Sequence, residues 1–285
     1  MVYKGKLRWE NGLSFIETEE GERLVEENGI WDGYLNHWVN QNVCARKLPQ
    51  QDYKTGEPII IMWPDLPPSE NPYVEIYYNE RLIKYPASTF GHNAINVNGE
   101  FFNFSHLINE NESMDEAEYM YRPALGEFAP SPTTGKFEIL EDGTAYYDKF
   151  GRNFMRGIHV IRLEGIDVDR LSGIYHNELN TIHATPPNPD QPEKYRDFSF
   201  YKRSCTTLIR DGLLKYGFQK IRGFLPRDFF ISAANSLMKT QKEMGLTVQL
   251  YNRPQLKVPE APYSKNSFPM NPMNWIRLKK LQGMI

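Results

Sequence analysis

The chain contains few cysteines and no long apolar run, and these two absences exclude several classes of protein. Its 285 residues include only two cysteines, Cys44 and Cys205, too few for a disulfide framework or for a zinc site made of four cysteines. No apolar stretch approaches the roughly 18–20 residues of a transmembrane helix. The first residues, MVYKGKLRWENG, lack the apolar core of a secretory signal. We therefore expect a protein made in the cytoplasm, without a transmembrane segment, that needs a specialised secretion apparatus if it acts elsewhere.

The chain also lacks an excess of basic residues and the glycine-rich motifs of nucleotide-binding proteins. Its formal net charge of −3 gives no electrostatic reason to expect a nucleic-acid partner. Neither GHNAINVNG nor TTGKFEIL has the glycine spacing of a dinucleotide fingerprint or of a phosphate loop. The chain does have enough hydrophobic (40%) and aromatic (13%) residues for a globular protein with a sizeable core. We expect no cofactor and no bound metal.

Residues 1–63 have the pattern of a small β-rich domain. The runs GKLRW, LSFIET, NVCARKLP and PIIIMW are typical of strands, and IWDGYLNHWVNQ has the features of a short helix between the later strands. This layout resembles an OB-fold, the five-stranded Greek-key barrel that often serves as a binding module. Residues 64–72, PDLPPSENP, contain four prolines and are interpreted as a stiff linker that ends this domain. A rigid loop inside one larger domain is the alternative.

Residues 73–257 are predicted to form a second domain of the α+β class, with an antiparallel sheet packed on helices. HNAINV and EFFNFSH, joined by Asn98 and Gly99, have the pattern of a β-hairpin with a two-residue turn. GIHVIRL is typical of a strand, and helices are expected from Asp167, from Cys205 and from Pro226. Residues 258–285 have no clear period and are predicted to be a C-terminal tail laid over the surface.

The segment FYKRSCTTLIRDGL places Cys205 at the start of a predicted helix. Ser204 is a favourable N-cap, and Gly217 is placed to end the helix. At the first turn of a helix, the positive end of the helix dipole lowers the pKa of a thiol. The backbone N–H groups of Cys205 and Thr206 are expected to be free there to bind a developing oxyanion. The alternative is a buried cysteine that only fills space at a helix start.

A nucleophilic thiol needs a base, and two histidines are placed to supply one. His92 and His106 stand at opposite ends of the predicted hairpin. A zinc site made of His92, His106 and Cys205 is a competing interpretation, but the chain lacks the spacing of known zinc motifs and a fourth ligand. Of the remaining histidines, His37 is predicted to lie in the first domain and His159 in a strand, as a hydrogen-bonded structural residue. His176 and His183 are predicted to be solvated.

The order of these motifs resembles that of circularly permuted papain-like proteins, namely NlpC-type cysteine peptidases and lecithin:retinol acyltransferase-like proteins. A histidine opens a strand in STFGHNAINVNG, a polar residue follows in GEFFNFS, and a cysteine starts a helix in SCTTLIRDGL. The resemblance covers about residues 74–235. It implies that Cys205 is the nucleophile, that His92 is the base, and that a polar side chain orients the imidazole. Asn103 is predicted for this third role and His106 is held in reserve, because the family often has histidine where this chain has Phe104.

The resemblance implies a cysteine hydrolase, an amidase or peptidase, that cleaves an amide bond in the peptides of peptidoglycan. The two motifs are also similar to those of bacterial envelope proteins and toxin domains. A toxin of this kind resembles a type VI secretion effector, which acts in the periplasm of a target cell and has an immunity protein or a secretion carrier as partner. Two alternatives remain open. One is an acyltransferase or lipid hydrolase that uses the same cysteine and histidine, with FLPRDFFISA lining an apolar groove; the other is a non-enzymatic binding protein.

Overall fold

The computed structural model describes residues 1–27, 32–51, 58–83, 89–106, 111–122, 124–125, 147–148, 153–253, 255–256 and 263–281. The fold is mixed α+β, with antiparallel sheets and helices, which confirms the predicted fold class. The chain divides into two compact units. The first comprises Met1–Ser69, Ala117–Asn153 and Leu256–Ala261; the second comprises Glu70–Glu116, Phe154–Gln255 and Pro262–Ile285. None of the described helices is long and apolar enough to cross a membrane.

The described residues form seventeen strands and six α-helices. The strands are β1 (Tyr3–Glu10), β2 (Leu13–Glu17), β3 (Arg23–Glu27), β4 (Asn42–Gln51), β5 (Pro58–Pro64), β6 (Tyr73–Asn79), β7 (Arg81–Leu82), β8 (His92–Val97), β9 (Glu100–Asn103), β10 (Glu112–Asp115), β11 (Ala124–Leu125), β12 (Tyr147–Asp148), β13 (Ile158–Glu164), β14 (Pro187–Asn188), β15 (Gln191–Tyr195), β16 (Thr247–Arg253) and β17 (Ser264–Lys265). The helices are α1 (Asp32–Trp38), α2 (Glu116–Tyr121), α3 (Val168–His183), α4 (Cys205–Tyr216), α5 (Pro226–Thr240) and α6 (Pro272–Leu281), with a 3-10 turn at Asn153–Met155.

The first unit contains a five-stranded antiparallel sheet in the order β3-β2-β1-β4-β5. Asn11 and Gly12 join β1 to β2 with positive φ angles of 53° and 80°, as a two-residue hairpin turn requires. The expectation was a small OB-like barrel, and the described strands of this unit do not form a closed barrel. Closure would need the edge strands β3 and β5 to pair, and among the described residues no pairing joins them. The described sheet is therefore open.

The second unit contains a six-stranded antiparallel sheet in the order β10-β9-β8-β6-β13-β16. Side chains alternate between the two faces of such a sheet. On one face, Ile76, Ile95 and Ile161 are fully buried in a hydrophobic core that they share with residues of α3, α4 and α5. This packing holds the first turn of α4 beside the sheet, where Cys205 contacts the same core.

The limits of α4 confirm the expected caps. The Ser204 side chain accepts a hydrogen bond from the N–H group of Thr207, whose side chain accepts one from the Ser204 N–H group at 2.8 Å. Gly217 is the C-cap, with a φ of 124°. Gly212 allows α4 to pack closely on α3, because a Cβ atom there would lie 2.3 Å from a ring carbon of Tyr175. Both ends and one face of α4 are thus fixed by specific contacts.

The segment after residue 262 contains regular structure that the sequence does not predict. β17 pairs with β7, and α6 follows a short connection. On α6, Asn274 and Leu281 are buried and Leu278 packs against the core of the second unit. These three positions are spaced four and three residues apart, which is the repeat of one helix face. The prolines around α6 conceal this repeat in the sequence.

Candidate active site

The hairpin formed by β8 and β9 brings His92 and Asn103 to one face of the sheet. Asn98 and Gly99 have φ angles of 54° and 96°, which fits the predicted two-residue turn. The pairing of Val97 with Glu100 sets Asn103 across from Ala94 and diagonal to His92. Diagonal neighbours on one face remain within reach of long side chains.

The ring of His92 is hydrogen-bonded to the side chain of Asn103. The distance from His92 Nε2 to Asn103 Oδ1 is 2.7 Å. Because an amide oxygen can only accept, Nε2 carries the hydrogen and donates it. This hydrogen bond selects the tautomer of the neutral ring and leaves Nδ1 as its unprotonated nitrogen. Asn103 therefore does to the imidazole what an orienting residue does in a catalytic triad.

The thiol of Cys205 lies beside this imidazole and is half-buried. Burial by itself raises the pKa of the Cys205 thiol, but the charge of His92 and a hydrogen bond to its ring lower it. Hydrogen bonds with the backbone of Asn93 and the hydroxyl of Thr206 lower it further, and the net pKa lies below the usual value for a thiol. A thiolate is the reactive form of cysteine. The structure thus holds this cysteine where its reactive form is favoured.

Asn93 fixes the first turn of α4 to the sheet, a role that the sequence does not reveal. This residue is fully buried. Its Oδ1 accepts a hydrogen bond from Thr206 Oγ1 at 2.9 Å, and its Nδ2 donates to the backbone oxygen of Tyr77, also at 2.9 Å. A buried amide needs partners for both of its ends. In the sequence, the sign of this role is that Asn93 is a polar residue at a core-facing position of HNAINV.

The first turn of α4 offers two N–H groups to a ligand. Within the part of the chain that the structure describes, the N–H groups of Cys205 and Thr206 have no hydrogen-bond acceptor, whereas that of Thr207 is bound to its Ser204 cap. The first N–H groups of a helix have no partner inside the helix. The N–H groups of Cys205 and Thr206 belong to the residue that carries the thiol and to the next one, which is where an oxyanion would form.

Gly91 determines how the chain enters β8 just before His92. Its φ angle of 78° belongs to the left-handed region. A Cβ atom at this position would lie 2.4 Å from the backbone oxygen of Asn79 and 2.9 Å from a ring carbon of Tyr78. Only glycine avoids both the strain of a left-handed backbone angle and the close contacts of a Cβ atom. The glycine next to His92 is therefore a positioning residue that sequence inspection overlooks.

The other histidines have separate surroundings. His106 lies beyond the end of β9, where its carbonyl accepts a hydrogen bond from the Tyr195 N–H group and its ring packs on Phe198. The ring of His92 is thus hydrogen-bonded to the preferred residue, Asn103. His159 is hydrogen-bonded to Glu80, as expected of a structural histidine. His176 and His183 are exposed, as the sequence predicts, and His37 lies in the first unit.

Four exposed aromatic residues from the loops before β8, α4 and α5 form a group, here called the aromatic cluster: Phe90, Phe200, Tyr201 and Phe224. Their rings contact one another, with centroid distances between 5.2 and 6.1 Å. Phe90 precedes His92 by two residues, and Phe200 and Tyr201 precede Cys205 by five and four. Exposed aromatic groups of this kind mark binding surfaces more often than isolated apolar residues do.

Neither a metal-binding cluster nor a known relative assigns a function to the site. Among the described residues, no group of three or more histidine, cysteine, aspartate or glutamate side chains could hold a metal ion. Comparison with protein-family models, with curated proteins and with solved structures finds no match to this chain. A functional conclusion must therefore come from the chemistry of the site.

Proposed function

We propose that the second unit is a cysteine hydrolase in which Cys205 is the nucleophile, His92 the base and Asn103 the orienting residue. One observation carries this proposal: the ring of His92 binds Asn103 through Nε2 and also contacts the thiol of Cys205. A nucleophile, a base and a third group that orients the base are the parts that nucleophilic catalysis requires. A structural cysteine needs no such arrangement.

The geometry supports acyl transfer in two stages. The thiolate of Cys205 attacks the carbonyl carbon, and the N–H groups of Cys205 and Thr206 donate to the oxygen that becomes negative. The imidazolium of His92 protonates the leaving amine as the C–N bond breaks, so the acyl group remains on sulfur as a thioester. A water molecule then gives its proton to His92 and attacks the thioester. The C–S bond breaks, the carboxylic acid leaves, and the proton held by His92 returns to the sulfur, which restores the thiol and the neutral imidazole.

The proposed substrate is an amide bond in the peptides of peptidoglycan, on the basis of the resemblance to NlpC-type peptidases. The resemblance to a permuted papain-like fold is supported by chain order, since the histidine strand and the asparagine strand precede the cysteine helix. An effector role, with export to the periplasm of a target cell and an immunity protein or a secretion carrier as partner, belongs to the same proposal by analogy.

The first unit is proposed to be an OB-like binding or loading module. Two features support this assignment. In the sheet, β1 pairs with both β2 and β4, and α1 lies between β3 and β4 in the sequence. An OB-fold is a partly open barrel of five strands, so an open sheet is compatible with it.

A second candidate function is the cleavage or transfer of acyl chains on lipids, which the aromatic cluster favours. Exposed rings beside a nucleophile could bind an apolar chain. Of the segment FLPRDFFISA, only Phe224 belongs to the aromatic cluster. Arg227, Phe230 and Ile231 do line a cavity of about 230 Å³, but none of Cys205, His92 and Asn103 lines it.

Digestion of purified peptidoglycan, followed by mass analysis of the soluble products, tests the proposal. We expect products that have gained one water at an amide bond, and we expect them to be lost in Cys205→Ala and His92→Ala. Cys44→Ala is the matched control, because Cys44 lies in the first unit. Release of fatty acid from phospholipid vesicles, with no products from peptidoglycan, would favour the second candidate. Products that persist in Cys205→Ala would refute both candidates.

A further inference from the structure

The segment that ends the second unit presents large apolar side chains to solvent. We name its outward surface the apolar–basic face: Phe268, Met270, Met273, Trp275, Ile276, Lys279 and Lys280. Its five apolar members are between 46% and 69% exposed. Single exposed apolar residues are normal, but a group within nine consecutive positions is not. Such a group marks a surface that another molecule covers.

The same segment is exclusively basic in its charge. Residues 261–285 contain Lys265, Arg277, Lys279 and Lys280 but no aspartate or glutamate, although acidic residues outnumber basic ones in the whole chain by 36 to 33. Lys265, Lys279 and Lys280 are exposed. A positive surface on a chain of negative net charge attracts an anionic partner.

The apolar side chains are held outward by a rigid frame. The buried carboxylate of Asp228 accepts hydrogen bonds from the N–H groups of Met270 and Asn271, at 2.9 and 3.2 Å, and from Asn274 Nδ2 at 2.7 Å. The hydroxyl of Tyr78 accepts a hydrogen bond from the Ser267 N–H group at 3.0 Å. Since α6 turns Asn274, Leu278 and Leu281 inward, it must turn Trp275, Ile276 and both lysines outward. The exposure is therefore built into the fold.

We propose that the apolar–basic face docks onto the surface of an anionic lipid bilayer. Tryptophan and phenylalanine favour the interface between lipid and water, where methionine and isoleucine can also bury apolar area. Lysine side chains beside them reach the negative headgroups. The protein would lie on the bilayer and not span it.

A second copy of the chain fits this face less well than a lipid surface does. The commonest dimers place the same patch of both subunits together across a two-fold axis, so the patch must be complementary to itself. A patch with several cations and no acid would bring like charges together. An anionic bilayer satisfies both the apolar and the basic side chains.

The face is also connected to the loop that precedes His92. Ser267 Oγ donates a hydrogen bond to the backbone oxygen of Phe90 at 3.2 Å, and Phe90 belongs to the aromatic cluster. Phe268, the next residue along the chain, is a member of the apolar–basic face. Docking would therefore bring the entrance of β8 close to the bilayer. The inference about the face does not depend on catalysis, because its evidence is exposure and charge.

Co-sedimentation of the full chain with vesicles tests this inference. The probes are vesicles of phosphatidylglycerol mixed with phosphatidylcholine, and vesicles of phosphatidylcholine alone. We expect binding to the mixed vesicles that weakens as salt is added, and much weaker binding to the neutral ones. Lys279→Gln and Lys280→Gln should each weaken binding about fivefold. Trp275→Ser combined with Ile276→Ser should weaken it more than about tenfold.

Matched controls separate the face from general surface properties. Leu66→Ser changes an apolar residue that is 72% exposed in the first unit, and Lys242→Gln removes an exposed lysine that lies outside the face. Neither should alter binding. Because all these side chains are exposed, the thermal unfolding midpoint should stay the same and show that the variants fold. Equal binding to both kinds of vesicle, or unchanged binding of the Trp275 and Ile276 variant, would overturn the inference. So would a dimer in the absence of lipid that this variant dissociates.

Discussion

At the scale of single residues, the two thiols of the chain differ because different groups surround them. Burial, followed by the hydrogen bond to Asp65, raises the pKa of the Cys44 thiol to about 11. The pKa of the Cys205 thiol is instead lowered, because His92 and the hydrogen bonds around it outweigh the effect of burial. The difference in environment can be measured without knowledge of the substrate.

We predict that iodoacetamide alkylates Cys205 faster than Cys44 at about pH 7. The rate follows the thiolate fraction, so the Cys205 rate should stay high as the pH falls below about 8.5, the ordinary thiol pKa. Cys44 should gain reactivity only as the pH approaches its raised value of about 11. Mass spectrometry of peptides measures each site, and His92→Ala should move the Cys205 profile to higher pH. Equal and slow labelling of both thiols would contradict the catalytic role of Cys205.

We also predict that Asn103→Ala lowers turnover by roughly tenfold to a hundredfold, because the ring of His92 loses the hydrogen bond that selects its tautomer. His106→Ala is the matched control and should cost little. Cys205→Ala and His92→Ala should cost about a thousandfold or more. Turnover on peptidoglycan gives the ranking, and the pH profile of thiol alkylation should shift in Asn103→Ala but not in His106→Ala. The reverse ranking of Asn103→Ala and His106→Ala would assign the third role to His106.

At the scale of secondary-structure elements, the candidate site depends on how β8 and α4 begin. The N–H group of Thr207 is satisfied by Ser204, whereas Thr206 is tied to the sheet through Asn93. β8 begins after Gly91, which approaches the backbone of Asn79 too closely for any side chain. The two element starts are thus built around the positions of Cys205 and His92.

Gly91→Ala should destabilise the second unit by about 1–3 kcal/mol, because it combines a left-handed backbone angle with a close contact. Gly99→Ala is the matched control: Gly99 also has a positive φ, but nothing lies within 4 Å of its Cβ position. It should therefore cost less and leave the thiol unaffected. Urea unfolding gives the stabilities, and alkylation at neutral pH reports the placement of His92 beside Cys205. Equal losses in both variants would show that the backbone angle alone matters at Gly91.

At the scale of the whole molecule, the first unit is assembled from separate parts of the chain. Ala117–Asn153 belongs to it, although these residues follow the proline-rich stretch at 64–72. Within the first unit, Tyr121 packs with a buried cluster that includes Leu48 and Ile61, and its ring contacts that of Trp38. A cut at the proline-rich stretch therefore divides this unit.

We expect a chain that lacks only residues 1–69 to aggregate, because Tyr121 and its neighbours lose the apolar partners that bury them. Replacing residues 117–153 with a short glycine–serine linker in the same chain should restore solubility and keep Cys205 reactive. Size-exclusion chromatography and thiol alkylation measure the two properties. If the singly shortened chain is monomeric and as stable as the doubly shortened one, the two segments are independent of each other.

The sequence by itself determined the features that depend on neighbouring residues. The turn at Asn98 and Gly99, the cap at Ser204 and the helix start at Cys205 all follow from chemistry within a few positions, and the structure confirms them. The α+β class follows in the same way from runs of strand and helix patterns. That His92 and Asn103 lie close together could be predicted, because a two-residue turn limits the possible registers of the hairpin.

Only the tertiary structure decided what depends on contacts between distant residues. Asn93 and Thr206 are 113 positions apart, and no local pattern shows that they bind each other. The need for glycine at position 91 comes from a neighbouring strand, and the open sheet of the first unit depends on whether its edge strands meet. The outward side chains of α6 are exposed because Asp228 and the core fix the opposite face of the helix. Local energies decide turns and caps, whereas packing and long-range hydrogen bonds decide which of these elements come together.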